Sequence, residues 1–314
     1  MSDLAGIRCN SSSTTAWQAN TVTRITLLQK SLIASSPIQY QLTTSWQTRN
    51  WSLSLLVVRA PHLLYVHFLS NADTITANGG IGFELARQLL SKTGPTWHVL
   101  LGSRSIEKGQ AALDRLRSHG LSGTVELVQI DVTDDSTIVR AGKDARTSHG
   151  HVDVVVNNAA IAYAGERSRE SMHASFDTNV VGPMRVAEVF APLLQKSSYS
   201  FGPRIINMSS RAGSISRRLD KNNMIYSTPF VEYRTSKVAL NMLSVCQVWE
   251  YGQLGIKTFM FCPGFTESDL SPMAKQENGA KPVAESAKPI VDIIEGKRDG
   301  EEGKFLFDGG VAKW

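Results

Sequence analysis

From residue 78 onward the chain repeats one pattern, a short continuous apolar run followed by a helical stretch, and that alternation governs what it can fold into. An amphipathic helix is expected over Ile81–Thr93, and "WHVLLGSR" reads as a buried strand ending in a loop. Ile106–His119 is helical and stops at Gly120, a residue that tolerates the left-handed backbone of a helix C-cap. "TVELVQIDVT" is a strand, Asp135–Ser148 a helix, "VDVVVNNAA" a strand and Ser175–Lys196 a long helix. "PRIINMSS" is a strand, Pro229–Gly255 a long helix, "IKTFMFCPG" a strand, Ala284–Glu295 a helix and "KFLFDGG" a last short strand. Strands that are apolar at every position are buried on both faces, which calls for a parallel sheet with helices on either side. The fold class expected is therefore α/β, a doubly wound parallel sheet flanked by helices, with ligands bound at the carboxyl ends of the strands.

The 314 residues allow one large α/β domain or two small ones. The net charge of +5 invites the idea of an acidic partner, but its location argues otherwise. Residues 1–72 hold five basic residues (Arg8, Arg24, Lys30, Arg49, Arg59) and a single acid, Asp3. The rest of the chain is within one charge of neutral, so no nucleic-acid partner is expected. Cys9, Cys246 and Cys262 form no CxxC pair and no even set, which suits reduced, buried thiols and a cytoplasmic location. The most apolar stretch, Leu53–Leu69, is interrupted by Arg59, Pro61, His62 and His67 and is unsuited to a membrane span of roughly 20 apolar residues.

Residues 1–62 read as an atypical N-terminal extension, disordered or non-native, ahead of a dinucleotide-binding domain over 63–314 whose first strand is in doubt. Residues 1–60 contain 18 Ser and Thr and lack a hydrophobic period, a composition also found in organelle transit peptides.

Three local features point to a nucleotide. In "ANGGIGFELARQLL", Gly80 and Gly82 bracket Ile81 ahead of a helix. A glycine turn lets backbone approach a pyrophosphate, and the helix N-terminus supplies N–H donors and partial positive charge. "LLGSR" ends with Ser103 and Arg104, where a fold preferring NAD carries a carboxylate for the ribose 2′-hydroxyl. A basic residue there suits a 2′-phosphate, and a charge-assisted hydrogen bond of ~1.5–3 kcal/mol would give NADP(H) a tenfold or greater preference over NAD(H). Finally, "YRTSK" sets Tyr233 and Lys237 four residues apart on one helix face. A phenol ionises near 10; a cation ~4 Å away at an effective dielectric near 20 supplies about 4 kcal/mol, enough to lower it by about 3 units. Such a phenol could exchange a proton with substrate near neutral pH, with a neighbouring serine hydroxyl holding a carbonyl oxygen as charge develops.

In order along residues 77–314, the glycine turn, "DVT" at Asp131–Thr133, "NNAA" at Asn157–Ala160, Asn179, Ser210, Tyr233/Lys237 and "PG" at Pro263–Gly264 resemble the short-chain dehydrogenase/reductase family, particularly its carbonyl-reductase-like members. The resemblance implies a Rossmann-type fold and an NADP-dependent oxidoreductase that reversibly reduces a ketone or aldehyde to an alcohol. It implies Tyr233 as general acid, Lys237 lowering its pKa and holding the nicotinamide ribose, Ser210 polarising the carbonyl, and Asn179 supporting a water chain. For the cofactor it implies Asn78, Gly80, Ile81, Gly82, Ser103 and Arg104, together with Tyr233 and Lys237 themselves. It adds Asp131 and Val132 at the adenine, Asn157 at the ribose side, Pro263 and Gly264 flanking the nicotinamide, and Ser268 near the carboxamide. The partners implied are a small carbonyl or alcohol substrate and, at most, further copies of the chain, with neither membrane nor nucleic acid.

The chain departs from the family at the front of the loop. Ile75 and Thr76 stand where the family has Thr-Gly, Gly79 where NADP-preferring members often have Arg or Lys, and Ala160 where glycine is usual. The nearest apolar run, "LLYVHFL" at Leu63–Leu69, is separated from the turn by "SNADTIT". One explanation is that about Arg59–Thr76 derives from an unspliced intron; the alternative is a divergent member with a long first loop. A non-catalytic nucleotide-binding or inactive product is accordingly the rival function, with a lyase or epimerase a weaker third. His149 and His151 in "SHGHVD" have no ligand partners at suitable sequence spacing, so no metal is expected. Trp249 and the Phe259–Phe261 run read as core. The 22 residues between Ser210 and Tyr233 and the stretch Ser271–Lys281 are expected to form the substrate rim.

Overall fold

In a computed structural model, the described residues are 62–68, 80–92, 97–162, 167–223, 225–271 and 273–314, all within the compact unit Val58–Trp314. The expected extension, apart from His62, and the segment Leu69–Gly79 lie outside them, as do the calls on Ile75, Thr76, Asn78 and Gly79.

Eight strands form one sheet. In chain order they are β1 (His62–Phe68), β2 (Trp97–Ser103), β3 (Thr124–Gln129), β4 (Val154–Asn157), β5 (Arg204–Met208), β6 (Lys257–Cys262), β7 (Phe305–Phe307) and β8 (Gly310–Val311). Their spatial order is β3-β2-β1-β4-β5-β6-β7-β8, parallel throughout except for the final β7–β8 pair. β1 is the strand whose existence the sequence left open, and it occupies the centre. It pairs with β2 from His62 against Trp97 to Phe68 against Ser103, and with β4 through Leu64, Tyr65 and Val66. His62–Phe68 is thus the first strand, and it starts one residue earlier than the sequence reading placed the domain.

The helices are α1 (Gly80–Leu90), α2 (Ile106–Ser118), α3 (Asp135–Ser148), α4 (Arg169–Phe176), α5 (Gly182–Leu194), the short α6 (Ile215–Leu219), α7 (Val231–Gly252) and α8 (Val283–Ile294). One face of the sheet packs α1, α2 and α8 through residues such as Leu85, Leu89, Leu113, Ile290 and Ile294 onto Val99, Val154, Ile206 and Phe259. The other packs α3 and α5 through Ile138, Val186, Phe190 and Leu194 onto Leu100, Val155 and Ile205. Each such side chain is fully or almost fully buried and contributes roughly 1.5–3 kcal/mol. This is the doubly wound arrangement that uninterrupted apolar strands require.

Two expected helices differ instructively. In place of one helix from Ser175, α4 begins at Arg169 behind a reciprocal Ser168/Ser171 capping box and passes through a π-helical turn, Asp177–Val181, into α5. The expected helix from Pro229 begins at Val231, because Phe230 adopts φ +39°, ψ +49°. Trp249, read as core, is 74% exposed on α7, whereas Phe259, Met260 and Phe261 are buried as expected. Among the described residues no helix is long and apolar enough to cross a membrane.

Candidate active site

The parallel strands bring their carboxyl ends to one edge of the sheet, and nearly every described candidate residue sits on that edge. Ser103 ends β2, Asp131 and Val132 follow β3, Asn157 ends β4, Ser210 follows β5, and Pro263 and Gly264 follow β6. Gly80 opens α1 at the same edge with φ +63°, a left-handed conformation that glycine adopts without strain. Ile81 packs partly buried against the core and Gly82 is buried.

The centre is built from α7 and the turn after β5. Tyr233 and Lys237 are one helical turn apart, and the Lys237 amine lies 5.6 Å from the Tyr233 ring centroid. The Ser210 hydroxyl hydrogen-bonds the phenol and accepts the Ala212 N–H at 3.1 Å, which starts a 3-10 turn over Arg211–Gly213. That turn approaches α7 closely: a Cβ on Gly213 would stand 2.9 Å from Lys237 backbone and Val238 N. Lys237 is 1% exposed, and its amine donates to the Met208 carbonyl at 2.8 Å.

The electrostatics reverse one expectation. Lys237 was expected to lower the phenol. Instead, burial pushes Tyr233 up to about 12, with Ser210 pulling against it and Cys262 adding a smaller upward push. Burial pushes Lys237 down to about 7, against a smaller upward pull from Cys262. Both groups are removed from water and the lysine is bonded to a carbonyl, so desolvation outweighs the attraction between ammonium and phenolate. The phenol is therefore a protonated donor at neutral pH.

Asn179 is fully buried in the π turn. Its amide nitrogen donates to Ile161 O and Ser236 Oγ, both at 2.9 Å, and its Oδ1 accepts the Ile161 N–H at 2.9 Å. It therefore ties the turn after β4 to the residue preceding Lys237. Asn157 turns inward, donating to Asn207 Oδ1 at 2.8 Å, while Asn207 donates to Ser244 and Gln247. The Asp131 carboxylate accepts from Thr133 N and Oγ1, while Asp134 caps α3. Val132 is buried against Gly182, where a Cβ would lie 2.7 Å from the Val132 Cβ. Ser103 donates to Ser105 O at 2.8 Å and Arg104 is exposed. Gly264 has φ +87°, and Ser268 donates its N–H to Ala274 O at 3.1 Å.

Several supporting residues were not singled out from sequence. Arg234, inside "YRTSK", is buried and donates to Pro229 O, Ala212 O, Ile225 O and Thr228 O, gathering the rim segment onto α7. It does so next to Phe230, the one non-glycine residue in the left-handed region among the described residues, a conformation costing about 1–3 kcal/mol. The Ser209 hydroxyl, just past the end of β5, donates to Asn241 Oδ1 at 2.5 Å. Cys262 accepts N–H groups of Arg211 and Gly264, joining the two turns that flank the site. Only the unusual polarity of Asn207 and Asn241 within apolar elements could have signalled these contacts. The set can hold a carbonyl oxygen between two hydroxyls and pass it the phenolic proton.

The model of the short chain dehydrogenase family matches residues 74–279. The short-chain dehydrogenase/reductase tropE of Talaromyces stipitatus is 30% identical over 254 residues, spanning 75% of this chain and 94% of that protein. The short-chain dehydrogenase anuI of Penicillium roqueforti is 34% identical over 240 residues, 74% of this chain and 91% of that protein. Among solved structures, an NADPH-bound carbonyl reductase from chicken fatty liver superposes with a TM-score of 0.67 at 25% identity, covering 82% of this chain and all of that one.

Proposed function

Since the chain belongs to the short-chain dehydrogenase/reductase family, as an oxidoreductase of carbonyl-reductase-like type, we propose that it reduces a ketone or aldehyde reversibly with NADP(H) in preference to NAD(H). The observation carrying this reading is the convergence of Tyr233, Ser210 and Lys237 at the carboxyl edge of the sheet, the edge at which the glycine-opened α1 also begins.

The donor set suits a nicotinamide dinucleotide. Gly80 opens α1, and among the described residues nothing lies within 4 Å of where a Cβ on it would stand, which suits a pyrophosphate at the helix N-terminus. Ser103 and Arg104 would receive a 2′-phosphate, since neither carries the carboxylate that would repel it. Asp131 and Val132 would border the adenine, with Asn157 on the ribose side and Pro263, Gly264 and Ser268 around the nicotinamide. The buried Lys237 amine has three donors and one described bond, to Met208 O, so it can also bind ribose hydroxyls. Bound NADPH supplies the hydride for the carbonyl carbon. Tyr233 gives its proton to the carbonyl oxygen, and Ser210 donates a hydrogen bond to that oxygen as negative charge grows there. Lys237 in its charged form favours the phenolate left behind, and Asn179 holds the turn through which a proton can be resupplied. The dinucleotide-binding reductase domain is taken as 63–314 with His62 added, and the substrate as a small molecule.

Titration of the protein with NADPH, followed by cofactor fluorescence, tests the reading. Saturable binding is expected, with NADH binding more weakly. A folded chain that shows no binding at high micromolar NADPH would favour the inactive alternative.

A further inference from the structure

At the amino-terminal half of the sheet, away from the edge that holds Tyr233 and Ser210, three side chains from three elements converge. His98 is the second residue of β2, Glu126 the third of β3, and His149 is the C-cap of α3. Sequence spacing offered His149 no ligand partners; the pairing of His98 with Thr124 in the β2–β3 ladder brings them. His149 Nε2 lies 2.7 Å from Glu126 Oε1, and His98 Nε2 lies 3.7 Å from the same oxygen. One ligand atom from each residue falls within 4.8 Å of the others.

An ordinary histidine–glutamate ion pair explains half of this. It accounts for His149 and leaves His98 unexplained. His98 Nδ1 is 2.6 Å from Thr124 Oγ1, whereas Nε2 is buried with no hydrogen-bond partner and faces the carboxylate. If Nδ1–H donates to the threonine, Nε2 presents a lone pair, the tautomer a metal ligand needs and the outer contact that orients one. The imidazole rings are 4.9 Å apart, so charging both would set two cations against each other, whereas one shared cation would satisfy both. The Glu126 carboxylate lies between the two rings, 2.7 Å from His149 Nε2 and 3.7 Å from His98 Nε2, and supplies the negative charge.

We propose that His98, Glu126 and His149 form a binding site for a zinc-class divalent transition metal. Two imidazoles and a carboxylate make a three-ligand zinc set, with metal–ligand bonds of about 2.0–2.2 Å and a fourth position for water. Ligand atoms on a tetrahedral centre of that size sit about 3.3 Å apart, within the range found here. Imidazole nitrogen selects against magnesium and calcium, which take oxygen ligands. The bound ion would fasten β2, β3 and the end of α3 together.

Calorimetric titration of the chelator-treated full-length chain with zinc chloride, and separately with magnesium chloride, tests the site. One zinc per chain and no magnesium binding are expected. His98→Ala, Glu126→Gln and His149→Ala should each weaken zinc by at least about tenfold, with the exposed His173→Ala unchanged. Cobalt(II) added to the unmodified chain should give the visible absorption of a four-coordinate nitrogen/oxygen site and be displaced by zinc, which keeps the test open if a variant fails to fold. No zinc binding, no such cobalt spectrum, or zinc affinity unchanged in all three variants would overturn the proposal.

Discussion

Replacing Lys237 by methionine should make the protein more stable and less active, and the stability gain should depend on pH in a calculable way. The lysine is 1% exposed, and burial lowers its pKa from 10.5 to about 7. The unfolded chain therefore binds one more proton than the folded chain between these values, so this residue's contribution makes stability rise with pH across that window. Its destabilising effect is full below pH about 7 and disappears as pH passes 10.5. At 1.36 kcal/mol per pH unit, it amounts to roughly 5 kcal/mol near pH 6 and roughly 1 kcal/mol near pH 9.5. Methionine fills nearly the same space without a charge, but leaves the Met208 carbonyl without its donor, costing about 1–3 kcal/mol at either pH. Lys237→Met should thus be stabilised by about 2–4 kcal/mol near pH 6 and be nearly neutral or slightly destabilised near pH 9.5. Urea unfolding at both pH values measures this. The difference between the two gains, roughly 4 kcal/mol, is independent of the lost hydrogen bond and corresponds to about 1 M or more in midpoint. An equal effect at the two pH values would refute the claim that the fold holds this amine out of water against its preference.

Other substitutions probe neighbouring parts of the site. Tyr233→Phe removes the proton donor and should lower kcat by about 10²–10⁴-fold while leaving NADPH affinity within a small factor, as read by cofactor fluorescence. Arg104→Asp should shift the ratio of kcat/KM for NADPH over NADH by tenfold or more toward NADH, the equivalent of ~1.5–3 kcal/mol; an unchanged ratio would remove Arg104 from the cofactor site. Gly213→Ala inserts a methyl 2.9 Å from the backbone of Lys237 and Val238, so it should cost about 1–3 kcal/mol in thermal or urea unfolding and reduce activity by displacing α7.

The large-scale order of the molecule was legible in the sequence because it depends on local periodicity. Apolar runs such as Val154–Val156 can be buried on both faces only in a covered parallel sheet, and that sheet collects the strand ends at one edge. Tyr233 and Lys237 were legible for the same reason, since a spacing of four fixes their common helix face. Even the doubtful strand at His62–Phe68 was visible as an apolar run, though nothing local could show that it lies between β2 and β4.

What the sequence could not determine were quantities set by several distant segments at once. The tilt of proton affinity at Tyr233 and Lys237 follows from how completely α7, the Ser210 turn and the Cys262 turn exclude water, and no spacing rule contains that. Asn157 and Asn207 meet across two strands; Asn179 reaches Ile161 and Ser236 only because a π turn rotates it there. His98, Glu126 and His149, separated by 28 and 23 residues, become neighbours through strand register and the end of one helix. Residue types set which chemistry is available, whereas solvation and through-space distance, which exist only in the folded chain, decide which of it the protein can use.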